Sequence, residues 1–600
     1  MAPRHSCSSS NATTITAVYQ RLNTWAPLGA VAVVLAILTI WASGCTRTVV
    51  RTTAVPGPVT AHNGMVVSAE VEASQAGVEI LQKGGNAVDA AVATGFALAV
   101  VHPTAGNVGG GGFMVIRFND GRSTSFDYRE KAPAAASRDM YLDENGEVIE
   151  DLSLRGHLAS GVPGSPAGLL LAHERYGRLP LDVVMAPAIR LAADGYRISR
   201  GKAASFNRNY ERFSQYPGTR KYFTKGSPEL QYKAGELFVQ KDLADVLRRI
   251  RDRGRDGFYR GKTAELIVAE MERGGGIITL DDLASYEAVE REPLQSTYRD
   301  HRIISMGPPS SGGVALAQLL NAVEPYDIRE MGYNASATVH LMGEAMRRVY
   351  ADRAEWLGDP DYYDVPVEAL IDKEYMQRRM ATFDPNRADS SVQITYGDPL
   401  AYESTETTHY SVVDREGNAV SVTTTINGSY GSYVVVDGAG FFLNNEMDDF
   451  SAKPGVPNMF GLVGSEANAI EPGKRMLSSM TPTILEDPEG RLFMVIGSPG
   501  GGRIITIVYQ AILNVIDHGM NIQQAVNAGR VHHQWLPDVL EYEPRALARD
   551  VQDNLLARGW NLRSAGTWGR ADGIVVRYLP DGVLLEGGAD PRGEDVAVGY

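Results

Sequence analysis

At Thr407 the chain stops being polar and aperiodic and becomes β-patterned within one residue. From Ala381 to Glu406 it reads ATFDPNRADSSVQITYGDPLAYESTE, rich in Pro, Asp, Ser and Thr. Thr407-Thr408-His409-Tyr410-Ser411-Val412-Val413-Asp414 follows. His409–Val413 and Ala419–Ile426 flank Asp414-Arg415-Glu416-Gly417-Asn418, which is a hairpin signal. A threonine heading a strand behind a cleavable loop suggests a chain that cuts itself. The new amino terminus would then carry both a hydroxyl nucleophile and an amine base. Taken alone, the Thr407-Thr408-His409 triplet is also how an ordinary strand begins.

The surrounding pattern predicts the body that holds this strand. Val66 to Val101 reads as helical with a break at Gly84-Gly85; Asn86 is placed to cap the second piece and Pro103 to close it. Gly109 to Gly112 lies after a helix and before the strand-like Phe113–Phe118. That order is the reverse of a dinucleotide or P-loop site, so the glycines read as a structural turn. Residues 165–385 read as mostly helical, for example Gln240–Arg253 and Ala335–Ala354. A second hairpin pairs Thr481–Leu485 with Arg491–Ile496, and Ile504–Ile516 reads as an apolar helix. Helices outside and antiparallel strands inside imply a layered α+β body.

The 600 residues carry a formal net charge of -15, which argues against nucleic acid as a partner because phosphate binding needs a basic surface. Residues 1–44 stand apart. Leu28 to Trp41 is an apolar run of signal-peptide length, shorter than the roughly 20 residues of a spanning helix. Ala42-Ser43-Gly44-Cys45 resembles a bacterial lipoprotein cleavage site with Cys45 as the lipid-bearing residue; an uncleaved N-terminal anchor helix is the other reading. Either one exports the body to the periplasm or the outer face of the cell envelope, tied to the membrane only through its amino terminus. Cys7 and Cys45 are the two cysteines, so the body has no disulfide and no cysteine nucleophile.

Several motifs carry chemistry. Gly497-Ser498-Pro499-Gly500-Gly501-Gly502 lies between a strand and a helix, where backbone N–H groups can bind a developing oxyanion, or simply turn the chain. No GxSxG elbow is present. His532-His533 lack the spaced partners of a metal site. Asn444-Asn445-Glu446 followed by Asp448-Asp449 is either a carboxylate cluster for a metal or an amino group, or a polar loop.

Taken in order, these segments resemble the γ-glutamyltranspeptidases, which are N-terminal-nucleophile hydrolases. The resemblance runs from about residue 60 to Tyr600. It rests on GGNAVDAAVAT (84–94), GNVGGGGFMV (106–115), FDYREKAP (126–133) and the segment TTHYSVVDREGNAVSVTTTINGSYG (407–431). It continues through LNNEMDDFSAKPGVPN (443–458), LSSMTPTI (477–484), GSPGGGRIIT (497–506) and HHQWLPD (532–538).

The resemblance implies an αββα sandwich from one precursor cut between Glu406 and Thr407. The large subunit would be 45–406 and the small catalytic subunit 407–600, forming one intertwined heterodimer. It implies transfer or hydrolysis of γ-glutamyl groups from glutathione and related small molecules to water, amino acids or dipeptides, with no cofactor and no metal. Thr407 would be nucleophile and its α-amine the base, with a reference pKa of about 7.7–8.0. Arg129, Ser478 and Ser479 would hold the donor α-carboxylate. Asp449, Asn427 and Glu446 would hold the α-ammonium. Thr425 would orient the nucleophile, and Gly500 and Gly501 would supply the oxyanion hole. Pro454 to Gly461 matches the loop that covers the donor, with Phe460 where bacterial relatives often have Tyr; the hydroxyl that would bridge to Asn427 is then absent. A related Ntn amidase of the cephalosporin (glutaryl) acylase kind is one alternative. A lipoprotein that only captures glutathione or amino acids is another.

Overall fold

Among the described residues, alternate side chains along several central strands sort into two different cores, and this sorting makes the layers. The computed structural model describes residues 57–394, 407–453 and 455–600. The leader at 1–44, Cys45, Glu406 and Pro454 lie outside the described residues. In the first part of the chain the strands of the two large sheets are β1 Val59–Ala61, β2 Met65–Ser68, β3 Gly111–Arg117, β4 Ser123–Asp127, β5 Val289–Arg291, β6 Leu294–Tyr298 and β7 His301–Ser305. After Thr407 come β8 Thr408–Val413, β9 Ala419–Thr425, β10 Thr483–Glu486, β11 Leu492–Gly497, β12 Asp572–Leu579, β13 Gly582–Gly588 and β14 Val596–Gly599. They form two seven-stranded sheets, β1-β13-β12-β11-β10-β7-β6 and β14-β2-β8-β9-β3-β4-β5.

Val66 of β2 and Met114 and Ile116 of β3 pack with the helices Val71–Gln82 and Ala87–Val101. Their neighbours Met65, Val67, Phe113 and Val115 belong to the core that also holds Ile484, Val495 and Ile496 of the other sheet. The period of two in a strand gives this split directly. Leu316 and Leu320 of the helix Gly312–Val323, Val339 of Ser336–Trp356, and Ile505 and Val508 of Ile504–Ile516 join the second core. The result is helix, sheet, sheet, helix, the layered arrangement expected from the sequence. Each such apolar side chain contributes about 1.5–3 kcal/mol on burial.

Asn86 caps its helix as expected, its side chain accepting from the N–H groups of Val88 and Asp89 at 3.0 Å each. All fifteen residues of Ala87–Val101 are buried. That explains a composition apolar on every face. Two expectations need correction. Val66 to Ser68 is strand, not helix. The Gly109–Gly112 run is only half a turn, since Gly111 and Gly112 begin β3. A β-carbon on Gly112 would lie 2.5 Å from the Thr423 carbonyl oxygen, and one on Gly110 2.1 Å from that of Thr425, so the glycines allow a close approach of backbones. The region 165–385 is mostly helical as expected, with β5, β6 and β7 set within it.

Both sheets combine strands from before and after Thr407. β8 is hydrogen-bonded to β2 on one side and to β9 on the other, and β9 to β3. Gly57–Tyr600 is one continuous unit.

Candidate active site

Thr407 stands directly before β8, in the middle of a sheet. The register pairs Thr408 with Thr424, so one further step sets Thr407 opposite Thr425, the last residue of β9. Thr407 is only 4% exposed. The Thr425 hydroxyl accepts the Asn427 N–H at 2.8 Å, and Asn427 adopts a left-handed φ of 68°. Its side-chain amide donates to the Asn445 carbonyl at 3.0 Å. This ties the end of β9 to the short 3-10 turn Glu446–Asp449.

Thr407 lines a cavity whose other walls include Arg129, Glu446, Asp449, Ser478 and Phe460. Arg129 follows β4 and is fully buried. Its guanidinium pairs with both Glu446 and Asp449. Its Nε and Nη2 donate to the Met476 and Leu477 carbonyls at 3.3 Å each. Glu130 lies 3.5 Å from Nη1. Burial pushes the Glu130 carboxyl up to about 7 despite Arg129. Burial also raises Glu446 and Asp449, outweighing the pull of the same guanidinium. For Arg129 burial acts the other way, but the three carboxylates prevail and hold it protonated. One buried cation thus organises three carboxylates.

The loop after Asp449 is fastened to the same turn. Burial raises Asp448 to about 6; it accepts the Ser153 hydroxyl at 2.6 Å and the Met459 N–H at 2.8 Å. Asn458 donates its side-chain N–H to Asp449 Oδ1 at 3.2 Å and accepts from the Phe460 N–H at 2.9 Å. Phe460 is buried, and its ring lies where a β-carbon on Gly501 would come within 2.5 Å. Gly500 and Gly501 have φ of 142° and 54°, conformations suited to glycine. Asn427 Oδ1 has no hydrogen-bond partner among the described residues.

Ser478 and Ser479 complete the wall. The Ser478 hydroxyl accepts the Met480 N–H at 3.2 Å. That of Ser479 accepts from Arg353 Nη2 at 2.9 Å, while Arg353 Nε donates to Ser311 at 2.9 Å. Thr407, Thr425, Arg129, Asn427, Glu446, Asp449, Phe460, Ser478, Ser479 and Gly501 therefore meet around one cavity. Gly500 lines a second one, which also reaches Thr407. Sequence reasoning missed Arg353, Glu130 and the side chain of Asn458. Arg353 sits in the helix Ser336–Trp356 and is buried, and nothing in the local pattern marks it as such.

Other candidates fall outside this cluster. His532 shares a hydrogen bond with Thr506 at 2.9 Å, and His533 accepts the Trp535 N–H at 3.0 Å. Burial lowers them to about 3 and about 4, so both are neutral near pH 7. Among the described residues no group of three or more His, Cys, Asp or Glu is arranged to hold a metal.

Comparison with known proteins gives a consistent set of relatives. The family model described as Gamma-glutamyltranspeptidase matches residues 73–600. The chain is 48% identical over 545 residues to the glutathione hydrolase proenzyme of Escherichia coli (strain K12), covering 90% of this chain and 93% of that protein. Among solved structures it is similar to the cephalosporin acylase from Bacillus halodurans. The TM-score there is 0.79 at 28% identity, over 91% of this chain and 97% of that one. It is also similar to a chain of Helicobacter pylori gamma-glutamyltranspeptidase, with 46% identity and TM-score 0.54, over 58% of this chain and 97% of that one.

Proposed function

The chain belongs to the gamma-glutamyltranspeptidase family, and from that premise we propose how its site works. The protein is a self-processing γ-glutamyl transferase and hydrolase of the Ntn-hydrolase fold. It cleaves the γ-glutamyl bond of glutathione and related small molecules and passes the acyl group to water or to an amino acid or peptide. Thr407 Oγ first attacks the Glu406 carbonyl and the C–N bond breaks, leaving an ester on Oγ and a free Thr407 amine; water then opens the ester and restores the hydroxyl. The same hydroxyl then takes the γ-glutamyl group, with the amine as base. Thr425 orients the nucleophile. The N–H groups at Gly500 and Gly501 receive the oxyanion, an effect of roughly 10²–10³ in rate per donor elsewhere.

The observation that carries this reading is the buried contact of Arg129 with Asp449 and Glu446 in the cavity beside Thr407. A donor with an α-carboxylate and an α-ammonium can enter there as a replacement for both partners. Its carboxylate meets Arg129, Ser478 and Ser479, and its ammonium meets Asp449, Glu446 and Asn427. A glutaryl amide lacks the ammonium and would leave the carboxylates unsatisfied. The protein should therefore turn over γ-glutamyl-p-nitroanilide with a kcat/KM about tenfold to a hundredfold above glutaryl-p-nitroanilide, the range set by one lost charge-assisted hydrogen bond. The reverse preference would make it an acylase like its Bacillus halodurans structural relative.

Relatives named as proenzymes, and a solved relative chain that covers only part of this one, support a product of two subunits. Their boundary is placed at Glu406 and Thr407, giving 45–406 and 407–600. The apolar run at 28–41 and the lipobox-like Ala42–Cys45 support export and anchoring through Cys45 in the bacterial envelope. Mass spectrometry of the mature amino terminus should find a diacylglyceryl Cys45; an intact residue 1–44 segment would instead make the anchor a retained helix.

A further inference from the structure

Beside Thr407 the two sheets are joined by hydrogen bonds and not by apolar packing alone. Along β8, Tyr410 and Val412 belong to the core under the first helices, and Val413 to the core shared with the other sheet. The period of two therefore turns His409 and Ser411 toward that other sheet. Their cross-strand partners on β9 are Thr423 and Ser421. All four are buried, none more than 1% exposed.

Each hydrogen in this group has one place to go. The Ser411 hydroxyl donates to the Asp572 carbonyl at 3.1 Å. It therefore accepts from the N–H of His409 Nε2, 3.1 Å away. Nδ1 is then the bare nitrogen and accepts the Thr423 hydroxyl at 3.0 Å. Burial pushes the imidazole down to about 3, so it is neutral near pH 7, as this pattern requires. In the next pair, Ser421 accepts the Thr483 N–H at 3.0 Å and donates to the Ile496 carbonyl at 3.2 Å. These contacts run from β8 and β9 to β10, β11 and β12.

They reach the root of the turn that carries Gly500 and Gly501. Gly497 is the last residue of β11 and pairs with Asp572. The His409 ring rests on it: a β-carbon on Gly497 would lie 2.3 Å from that ring. Gly500 follows Gly497 by three residues, and Thr407 precedes His409 by two. We propose that His409 is a positioning residue for the reaction, a spacer hydrogen-bonded between the sheets that fixes the gap from Thr407 to the N–H groups of Gly500 and Gly501. Thr423 and Ser411 hold the spacer in its orientation.

The inference deepens the proposed function and rests on it, since it needs an oxyanion formed at Thr407. Apolar contacts between sheets have no preferred direction, whereas hydrogen bonds do. That difference matters here, because a misplacement of about 1 Å can cost on the order of 10²-fold in rate. The oxyanion contact is strongest in the transition state and adds little to donor binding. Loss of the spacer should therefore show in kcat and not in KM.

The test compares processed variants with γ-glutamyl-p-nitroanilide as donor and two inhibitors. One is glutamate, which reads ground-state binding. The other is the glutamate analogue with a boronic acid at the γ position; Thr407 Oγ adds to its boron, and the resulting tetrahedral anion reads the oxyanion hole. His409→Phe keeps a ring on Gly497 and removes both hydrogen bonds. It should lower kcat and boronate affinity about tenfold each, with donor KM and glutamate affinity within about twofold of wild type. Thr423→Val removes one hydrogen bond at nearly constant shape and should show the same split at about threefold. The acid limb of the kcat/KM profile should stay in place in both, since no proton is carried by His409. His340→Phe is the control for lost stability. His340 is also buried, but it lies in the helix Ser336–Trp356 and is bonded to Trp560 Nε1 and the Asp384 carbonyl at 2.8 Å each. Its loss should lower Tm and leave kcat unchanged.

Wild-type kcat in His409→Phe, a matching rise in donor KM, a shifted acid limb, or an equal loss of kcat in His340→Phe overturns the assignment. Where His409→Phe fails to fold or to process, Thr423→Val decides alone. A wild type that releases no p-nitroaniline would instead remove the γ-glutamyl reading, and this inference with it.

Discussion

Thr407→Ala should give one uncut chain on a denaturing gel and lose γ-glutamyl-p-nitroanilide turnover by at least about 10⁴-fold, the scale seen when a covalent nucleophile is removed. Both losses come from the same atom. Without Oγ there is no ester with the preceding carbonyl, hence no free amine, and no acceptor for the glutamyl group. The substitution removes few atoms from a nearly buried position at the edge of β8, so folding is not the expected casualty. Thr407→Ser keeps the hydroxyl and should still divide into two fragments, which serves as the control. A wild-type protein that stays whole, or an alanine variant that is cut, would overturn the mechanism.

Asp449→Asn should process normally and raise the donor KM, lowering kcat/KM by on the order of 10²-fold, as expected for one lost charge-assisted hydrogen bond. The amide preserves shape, and Glu446 continues to hold Arg129, so the cavity is not stripped of its charges. What disappears is the negative partner for the α-ammonium and part of the fastening of Asn458. The variant should also discriminate less between γ-glutamyl and glutaryl anilides, because only the former carries the ammonium. Equal donor KM values for variant and wild type would show that Asp449 does not bind the donor.

Much of this arrangement was legible in the sequence where local chemistry and tertiary role agree. The β8–β9 hairpin announces itself by β-branched runs about a polar turn, and Ile504–Ile516 by thirteen residues with almost no polar break. The legible parts end where tertiary contact overrides local pattern. β2 is four residues long and runs almost at once into a helix, so its apolar residues join the helical pattern. β6 and β7 turn through Arg299 and Asp300 at φ of 47° and 62°, without the glycine that signals such a turn. Gly111 and Gly112 argue against a strand by propensity, yet Tyr128 and Glu130 beside the first and β9 beside the second leave no room for side chains. In the site, the charged residues were recognisable from the family motifs; their mutual pairing was not. Arg129 and Glu446 are 317 positions apart.

The interleaving of strands bears on what the cut accomplishes. With the proposed cut before Thr407, β8 and β9 would belong to one product and β2 and β3, which share their ladders, to the other. Pulling the products apart would expose those backbone groups unpaired in an apolar interior. In the proposed processing, hydrolysis of the bond before Thr407 would therefore liberate a functional group and not a polypeptide: connectivity would change, architecture would not, and dilution alone would give the two pieces no route to separate.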